Sequence, residues 1–370
     1  MKDSRRLMCI ILTAASVSGL LTACGKDGDA DAAFEAVDVM DAEVAEVSAA
    51  LETQTAEVSA ALDAGSETKN YTENATTGID GIASGKFAGN KFYYVSEDKD
   101  MTYNTMCSYD MTTEEKVAFN TVKSKSDDAS EVCTYILDFI VEADGSITEL
   151  MEEGCRNPET GEFTCSDTAK LVTYDKSGKV INTVNLGELK TGEFLNAAAK
   201  DSEGNIYLAY SDQDKDTLKM TCTIKVLDKN GSEKIGKAIP IGAGRVRLET
   251  AGDGTVKLVG PDEDDKWRVY DLNAKEAVSG EGKVVGDAYN GYALKDGNTV
   301  VYVDEKSVKT MDLSSGESAS VADLSKYAEM KGMEVWKCGV LEDGTYAGLL
   351  VNGMAQMSGA DAKALVIKFN

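Results

Sequence analysis

Histidine is absent from the 370 residues of this chain. Without imidazole, neither a Ser-His-Asp triad nor a Cys-His pair can form, and the usual histidine-based metal sites are excluded. No glycine-rich motif that would cradle a phosphate precedes a predicted helix. Carboxylates are abundant, so the composition leaves a two-carboxylate glycosidase open while removing most other familiar catalytic machinery.

Basic residues are few relative to acidic ones. Lys and Arg total 38 against 64 Asp and Glu, which gives a net charge of −26. The segment 1–23 carries three bases and one acid, so a chain beginning at residue 24 would stand at −28. Such a charge argues against nucleic-acid partners and against spreading on anionic lipid, and it favours solubility and cationic partners.

Long hydrophobic runs are also missing, apart from a short one near the start. Lys2, Arg5 and Arg6 precede an apolar run over 7–20, which is too short for a transmembrane helix. The sequence Leu21-Thr22-Ala23-Cys24 follows, and LTAC resembles the lipobox of bacterial lipoproteins. The resemblance implies that 1–23 is a signal peptide and that Cys24 is the first mature residue. Cys24 would then carry fatty acyl chains such as palmitate and anchor the protein on the extracytoplasmic face of the cell membrane. The alternative is an ordinary secretory signal with a chance cysteine.

Residues 24–67 form a distinct acidic, Ala-rich segment. Between Lys26 and Lys69 there are twelve acids and no base, and AEVSAAL occurs twice, at 45–51 and 56–62. Apolar residues at a seven-residue spacing favour a short helical stalk, whereas the charge favours a mostly disordered tether. Either form would hold the rest of the chain away from a membrane.

From residue 68 onward the chain repeats one unit of four short strands. An acidic residue followed by glycine recurs at spacings of 59, 50, 43 and 47 residues, and an Asp follows or ends the third strand of most units. The turns are Asp144-Gly145, Glu203-Gly204, Asp253-Gly254, Asp296-Gly297 and Asp343-Gly344, and the second set of acids is Asp110, Asp175, Asp228, Asp271 and Asp312. Periods of roughly 40–50 residues are typical of four-stranded propeller blades.

The prediction is therefore an all-β, six-bladed β-propeller over 68–370, with Ala- and Gly-rich first strands around a central axis. The six units are 78–123, 130–189, 193–241, 244–286, 287–328 and 332–370. A pair of β-sandwiches is the alternative, because their turns can have similar spacing. The sixth unit is one strand short, so residues 68–77 are expected to supply its outer strand and close the ring.

Acidic residues concentrate in the loops between second and third strands. These loops are SEDKD at 96–100, SDQDKD at 211–216 and PDEDDK at 261–266. In a meander they lie at one end of the disc. Asp212, Asp214 and Asp216 alternate as in a calcium loop, and solvated hairpin tips are the other interpretation.

Six cysteines follow Cys24. Cys155 and Cys165 flank a predicted hairpin loop and could form a disulfide outside the cytoplasm. Cys222 and Cys338 lie in apolar strands and are interpreted as small buried residues.

The strand pair DSEGNIYLAYS and IKVLDKNG resembles those of NHL-type six-bladed propellers. It is also similar to lipid-anchored propellers on the surface of clostridial-type bacteria. The resemblance implies a non-catalytic binding platform for a protein partner or an extracellular solute. Some such propellers are sugar-lactone hydrolases with calcium in the central channel, so a calcium-dependent hydrolase is the alternative, and an envelope assembly scaffold is another.

Overall fold

The computed structural model describes residues 71–74 and most of 82–369. Within the second range, the parts it does not describe are 99, 159–164, 166, 191, 215–216, 218, 243–245, 265, 287–291, 305–306, 325–332 and 353–363. The predicted signal peptide, Cys24 and the 24–67 stalk lie outside the described residues. In the described part, no helix is long and apolar enough to cross a membrane.

The fold is a six-bladed β-propeller, and each blade is a four-stranded antiparallel sheet. Blade 1 consists of β2 (Ile82–Ala88), β3 (Lys91–Glu97), β4 (Tyr103–Asp110) and β5 (Lys116–Lys123). Blade 2 consists of β6 (Val132–Val141), β7 (Ile147–Cys155), β8 (Thr168–Tyr174) and β9 (Val180–Glu188). Blade 3 consists of β10 (Glu193–Lys200), β11 (Ile206–Gln213), β12 (Met220–Leu227) and β13 (Glu233–Ile241).

The second half of the ring repeats this plan with shorter strands. Blade 4 consists of β14 (Arg247–Thr250), β15 (Val256–Pro261), β16 (Trp267–Asn273) and β17 (Ala277–Gly286). Blade 5 consists of β18 (Ala293–Leu294), β19 (Thr299–Asp304), β20 (Ser307–Asp312) and β21 (Ser318–Asp323). Blade 6 consists of β22 (Met333–Val340), β23 (Tyr346–Asn352), β24 (Ala364–Phe369) and the N-terminal strand β1 (Tyr71–Asn74).

The ring closes as predicted, through the N-terminal strand. Strand β1 pairs antiparallel with β24, with Tyr71 opposite Phe369 and Asn74 opposite Val366. The chain's first described strand thus completes the blade formed by its last three. This pairing gives the outer edge of β24 a hydrogen-bonded neighbour.

The recurring Asp and Gly residues shape the turns. Gly204 has a φ of 84°, a value that glycine adopts at little cost, and the Asp201 side chain accepts a hydrogen bond from the Asn205 N–H at 2.8 Å. Asp228 does the same between the third and fourth strands, accepting from the Ser232 N–H at 3.0 Å. Blade 4 departs from the predicted pattern. Asp271 lies inside β16 and pairs with Lys257, and Asn273 supplies the turn acceptor instead.

The hydrophobic core lies between neighbouring blades. One cluster joins buried residues of blade 3, such as Ile224, to residues of blade 4, such as Leu258, both fully buried. The outermost strands are mostly exposed, and β9 is an example in which no residue is buried. Burial is lowest on the outermost strands and highest on second strands such as β7 and β15.

Candidate functional site at the ring axis

The first strand of each blade faces the centre of the ring, and these strands are packed tightly. Ala197, Ala198 and Ala199 of β10 are all buried, which confirms the expectation of small residues there. A Cβ atom at Gly339 of β22 would lie 2.4 Å from the Cβ of Phe87 on β2, so only glycine fits at this junction of blades 6 and 1. Side chains of the inner strands therefore meet in a confined space.

Five of the charged side chains on these inner strands form an ion pair with one another or shift one another's pKa. They are Lys86 on β2, Asp138 on β6, Arg247 and Glu249 on β14, and Lys337 on β22, and together they are called the axis cluster. Each lies within three residues of the end of its strand, on the side of the turn to the second strand. At about 3.3 Å per residue this confines them to one layer roughly 10 Å deep.

β-Bulges help to direct two of these side chains. The pairing of the first and second strands shifts between Ile136 and Asp138 in blade 2, and between Val335 and Lys337 in blade 6. A bulge inserts one extra residue and re-aims the side chains beside it. Asp138 and Lys337 each follow the inserted residue directly. The bulges therefore help to set the direction in which Asp138 and Lys337 extend from their strands.

Lys86 and Asp138 form an ion pair that links three blades. The Lys86 Nζ lies 2.8 Å from the Asp138 Oδ1 and donates to the Phe139 carbonyl oxygen at 3.0 Å. The Asp138 Oδ2 accepts a hydrogen bond from the Ala198 N–H of blade 3 at 3.0 Å. Both carboxylate oxygens of Asp138 thus have partners, and the residue is only 7% exposed. We assign this pair to holding blades 1, 2 and 3 together.

Arg247, Glu249 and Lys337 form the other part of the axis cluster. Burial, followed by the positive charge of Arg247, lowers the pKa of Lys337 to about 7. Burial also raises the pKa of Glu249, although Lys86, Lys337 and Arg247 counteract it. The charges of groups from blades 1, 2, 4 and 6 thus influence one another's pKa values. Near neutral pH, Lys337 can gain or lose a proton easily.

The acidic loops are arranged differently. In each predicted loop one aspartate accepts hydrogen bonds from the loop's own backbone. The Asp98 Oδ1 accepts from the Thr102 and Tyr103 N–H groups at 2.6 and 2.7 Å, and the Asp214 Oδ1 accepts from the Thr217 N–H at 2.7 Å. Asp262 accepts from the Lys266 N–H at 3.0 Å. Such hydrogen bonds between an aspartate side chain and the backbone of its own loop are typical of solvent-exposed hairpin turns.

The predicted calcium ligands are only partly described. Asp212 is exposed at the end of β11, Asp214 is used by the turn, and Asp216 lies outside the described residues. Among the described residues, no group of three or more acidic or cysteine side chains is placed to hold a metal ion. The calcium site at this loop stays a prediction.

The cysteines fall into two groups. Cys222 and Cys338 are buried in the core, as predicted, and burial raises the pKa of both thiols. Cys155 and Cys165 are present as thiols, with the Cys155 N–H donating to the Cys165 sulfur at 2.8 Å. Their proximity is compatible with the predicted disulfide, which stays a prediction.

Blade 2 contains a second set of largely buried charges, separate from the axis cluster. The Arg156 Nη2 donates to the Glu152 Oε1 at 2.7 Å, and its guanidinium lies 4.2 Å from the centroid of the Tyr135 ring. Burial and the neighbouring Glu152 raise the pKa of Asp167 to about 7. Arg156 and Asp167 stand at the two ends of the long connection between β7 and β8. We therefore interpret the interactions of Arg156, Glu152 and Asp167 as holding the two ends of that connection in place.

The sequence did contain a signal for the axis cluster. Asp138 interrupts the run YILDFIV, and Lys337 lies within VWKCGV, so each charge is flanked by apolar residues of a first strand. A buried charge is costly unless it is paired, which makes such positions informative. The clustered carboxylates of the sequence lie instead in the loops between second and third strands.

Comparisons with known proteins bear on the fold alone. No family model matches the chain, and no curated protein matches it significantly. The PQQ-bound aldose sugar dehydrogenase of Streptomyces coelicolor is similar at 12% identity, over 81% of this chain and 98% of that chain, with a TM-score of 0.46. A luciferin-regenerating enzyme is similar at 11% identity, over 81% and 95% of the two chains, with a TM-score of 0.48. A protein of unknown function from Bacteroides caccae is similar at 12% identity, over 72% and 84%, with a TM-score of 0.42. At such identities, the activities in these names do not transfer to this chain.

Proposed function

We propose that this protein is an extracytoplasmic lipoprotein, anchored to the cell membrane through Cys24, whose propeller is a non-catalytic binding platform. The segment 24–67 serves as the spacer between the membrane and the ring. The ligand or partner contacts the ring at its axis, where the axis cluster lies. The strong net negative charge of −26 disfavours nucleic acid as that partner.

The observation that carries the proposal is the axis cluster itself. Charged side chains from four blades converge in one layer, and two of them have pKa values shifted against their charged forms. Buried charge of this kind is destabilising, and it concentrates at functional sites more often than elsewhere. The cluster mixes lysine and arginine with its carboxylates, whereas calcium sites are built from oxygen ligands. The donor set thus favours binding of an organic ligand over metal-dependent hydrolysis.

Anchoring is tested by replacing the acylated residue. Cys24→Ala should release the protein into the medium or leave the signal peptide attached, because no thiol remains for acyl transfer. Fractionation of cells followed by mass measurement of the N-terminus distinguishes these forms from the lipidated wild type. Unchanged membrane association of a variant from which residues 1–23 have been removed and whose new N-terminus is not acylated would contradict lipidation.

Binding at the axis is tested with the intact, detergent-solubilised protein. The protein is equilibrated with spent culture medium, washed and denatured, and the small molecules it retained are identified by mass spectrometry. We expect compounds that wild type retains and Lys337→Met loses. Lys225→Met is the matched control, because Lys225 also lies over an aromatic ring, 4.2 Å from the Tyr210 centroid, but on the third strand of blade 3. Equal retention by all three proteins would contradict an axis site.

A further inference from the structure

We propose that the disc face carrying the loops between second and third strands docks a cationic, amphipathic segment of a partner protein across blades 1 to 3. The axis cluster lies toward the other end of the inner strands, near the turns to the second strands. The inference therefore goes beyond the proposed function and does not depend on the axis. It follows from the apolar side chains exposed on this face and from the acids around them.

Exposed apolar side chains concentrate on this face. Of the seven large ones that the described residues expose, only Val180 and Ile181, which begin β9, lie on the opposite face. The remaining five are Met101, Tyr103, Val132, Phe194 and Val284. The first four belong to blades 1 to 3 and together are called the loop-face patch. Their exposed fractions run from 39% for Met101 to 59% for Phe194, and apolar groups exposed together are typical of an interaction surface.

The members of the loop-face patch lie on neighbouring blades at one end of the disc. Lys123 is opposite Tyr103 in the pairing of β4 with β5. The Lys123 Nζ lies 2.6 Å from the Glu131 Oε2, and Glu131 directly precedes Val132 at the start of β6. Phe194 lies near the start of β10, the inner strand that packs beside β6. The patch therefore crosses two blade junctions without leaving this face.

Acids surround the loop-face patch. The loop 96–102 and the connection 124–131 together contain six acids and two bases. On blade 3, Glu193 and Asp212 lie opposite each other in the pairing of β10 with β11, beside Phe194. The exposed apolar side chains are therefore set among negative charges, which attract a cationic partner and repel an anionic one.

This charge limits which occupant fits. A second copy of the chain would bring the same acidic face and a net charge of −26. The protein's own segment 24–67 is equally unsuitable, because there are twelve acids and no base between Lys26 and Lys69. Anionic lipid would also be repelled. A partner segment that places lysine or arginine beside apolar side chains fits, since its charges complement the rim while its apolar groups cover the patch.

Synthetic peptides of equal length serve as probes of the surface. One alternates lysine with leucine, a second alternates lysine with serine, and a third alternates glutamate with leucine. Each carries a fluorescent label, and its anisotropy is followed while the intact, detergent-solubilised protein is added at constant ionic strength. The signal with detergent alone is subtracted, and circular dichroism checks that each variant is folded.

We expect saturable binding of the lysine–leucine peptide alone. Tyr103→Ser combined with Val132→Ser should weaken it roughly tenfold, because aromatic and aliphatic anchors are removed. Ile181→Ser is the matched control and should leave the affinity unchanged, since Ile181 is as exposed as Val132, at 57%, but lies on the opposite face. Asp100→Asn combined with Asp127→Asn should weaken binding at low salt more than at high salt.

Other results would overturn the proposal in distinct ways. Equal affinity of wild type and both combined variants would overturn the location of the surface. Binding of the lysine–serine peptide as tight as that of the lysine–leucine peptide would overturn the apolar contribution. Binding of the glutamate–leucine peptide, or self-association that the Tyr103 and Val132 substitutions abolish, would overturn the cationic partner. No saturable binding of the lysine–leucine peptide would overturn the docking surface itself.

Discussion

The acidic loops between second and third strands hold closely spaced carboxylates, whereas the axis cluster combines three bases with two acids. In the loops, aspartates such as Asp98 accept hydrogen bonds from backbone groups a few residues away. At the axis, Asp138 joins side-chain and backbone groups from three blades. Charges that are close together in the sequence, as in the loops, thus need not interact, whereas charges that are distant in the sequence can interact at the axis. Only charges that converge in space create a site in which removal from water shifts the pKa values of the side chains.

The largest expected effect is on the free energy of unfolding, when one aspartate is removed from each region: Asp138 at the axis and Asp98 in a loop. Asp138→Ala leaves the partly buried Lys86 without its counter-charge and the buried Ala198 N–H without its acceptor, so we expect a loss of about 3 kcal/mol in the free energy of unfolding. Urea unfolding monitored by circular dichroism measures it. Asp138→Asn, which keeps an acceptor, should lose less. A loss no greater than that of Asp98→Ala would contradict the distinction between axis and loop.

The second prediction concerns the pH dependence that the axis imposes. The pKa of Lys337 in the folded protein is about 7, below the ordinary 10.5, so the unfolded chain binds the extra proton between these values. Stability arising from this group is therefore lowest below pH 7 and rises as the pH increases from 7 toward 10. The size of this pH dependence is set by the charged groups that act on Lys337, which are Arg247, Glu249, Lys86 and Asp138.

Lys337→Met removes this titration. We expect the variant to be more stable than wild type by about 2 kcal/mol near pH 6, with the advantage shrinking toward pH 9. Unfolding free energies of both proteins across this range give the difference directly, and effects of titrating groups remote from the axis cluster cancel in it. Lys225→Met is the control on an outer strand. A constant difference between wild type and Lys337→Met would show that Lys337 does not titrate near neutrality.

The third prediction concerns the hydrogen bonds that Asp98 accepts within its own loop. Asp98→Ala removes the acceptor for the Thr102 and Tyr103 N–H groups, which water can then solvate because the loop is at the surface. We expect a loss of about 1 kcal/mol, as for other side-chain caps. Asp98→Asn should recover most of it. Equal losses for alanine and asparagine would point to charge, not capping, as the contribution of this residue.

The smallest effect should be that of salt on the acidic loops. Like charges at exposed tips repel by a few tenths of a kcal/mol per pair, and most of this is screened at ~0.15 M salt. Calcium and sodium chlorides of equal ionic strength should therefore stabilise the protein alike in a thermal melt. If Asp212, Asp214 and Asp216 form a calcium site, calcium should stabilise well beyond sodium, and Asp214→Asn should remove the excess.

Much of the architecture was predictable from local patterns. The acid-glycine turns indicated the blade repeat because four of their five glycines, Gly204 among them, adopt a positive φ, which is a local requirement of the backbone. The missing fourth strand of blade 6 predicted β1 because an unpaired outer edge exposes hydrogen-bonding groups. Asp271 shows where such patterns are inaccurate, since Asn273, two residues later, fills the expected role.

Sequence alone thus determined the all-β repeat, the count of six blades and the strand that closes the ring, because turn chemistry and strand alternation act over a few residues. The axis cluster was decided by tertiary structure. Lys86 and Lys337 are separated by most of the chain, and they share one space only because the ring closes between blades 6 and 1. The bulges before Asp138 and Lys337 depend on how each first strand pairs with its neighbour and packs against the adjoining blades, which no local pattern specifies.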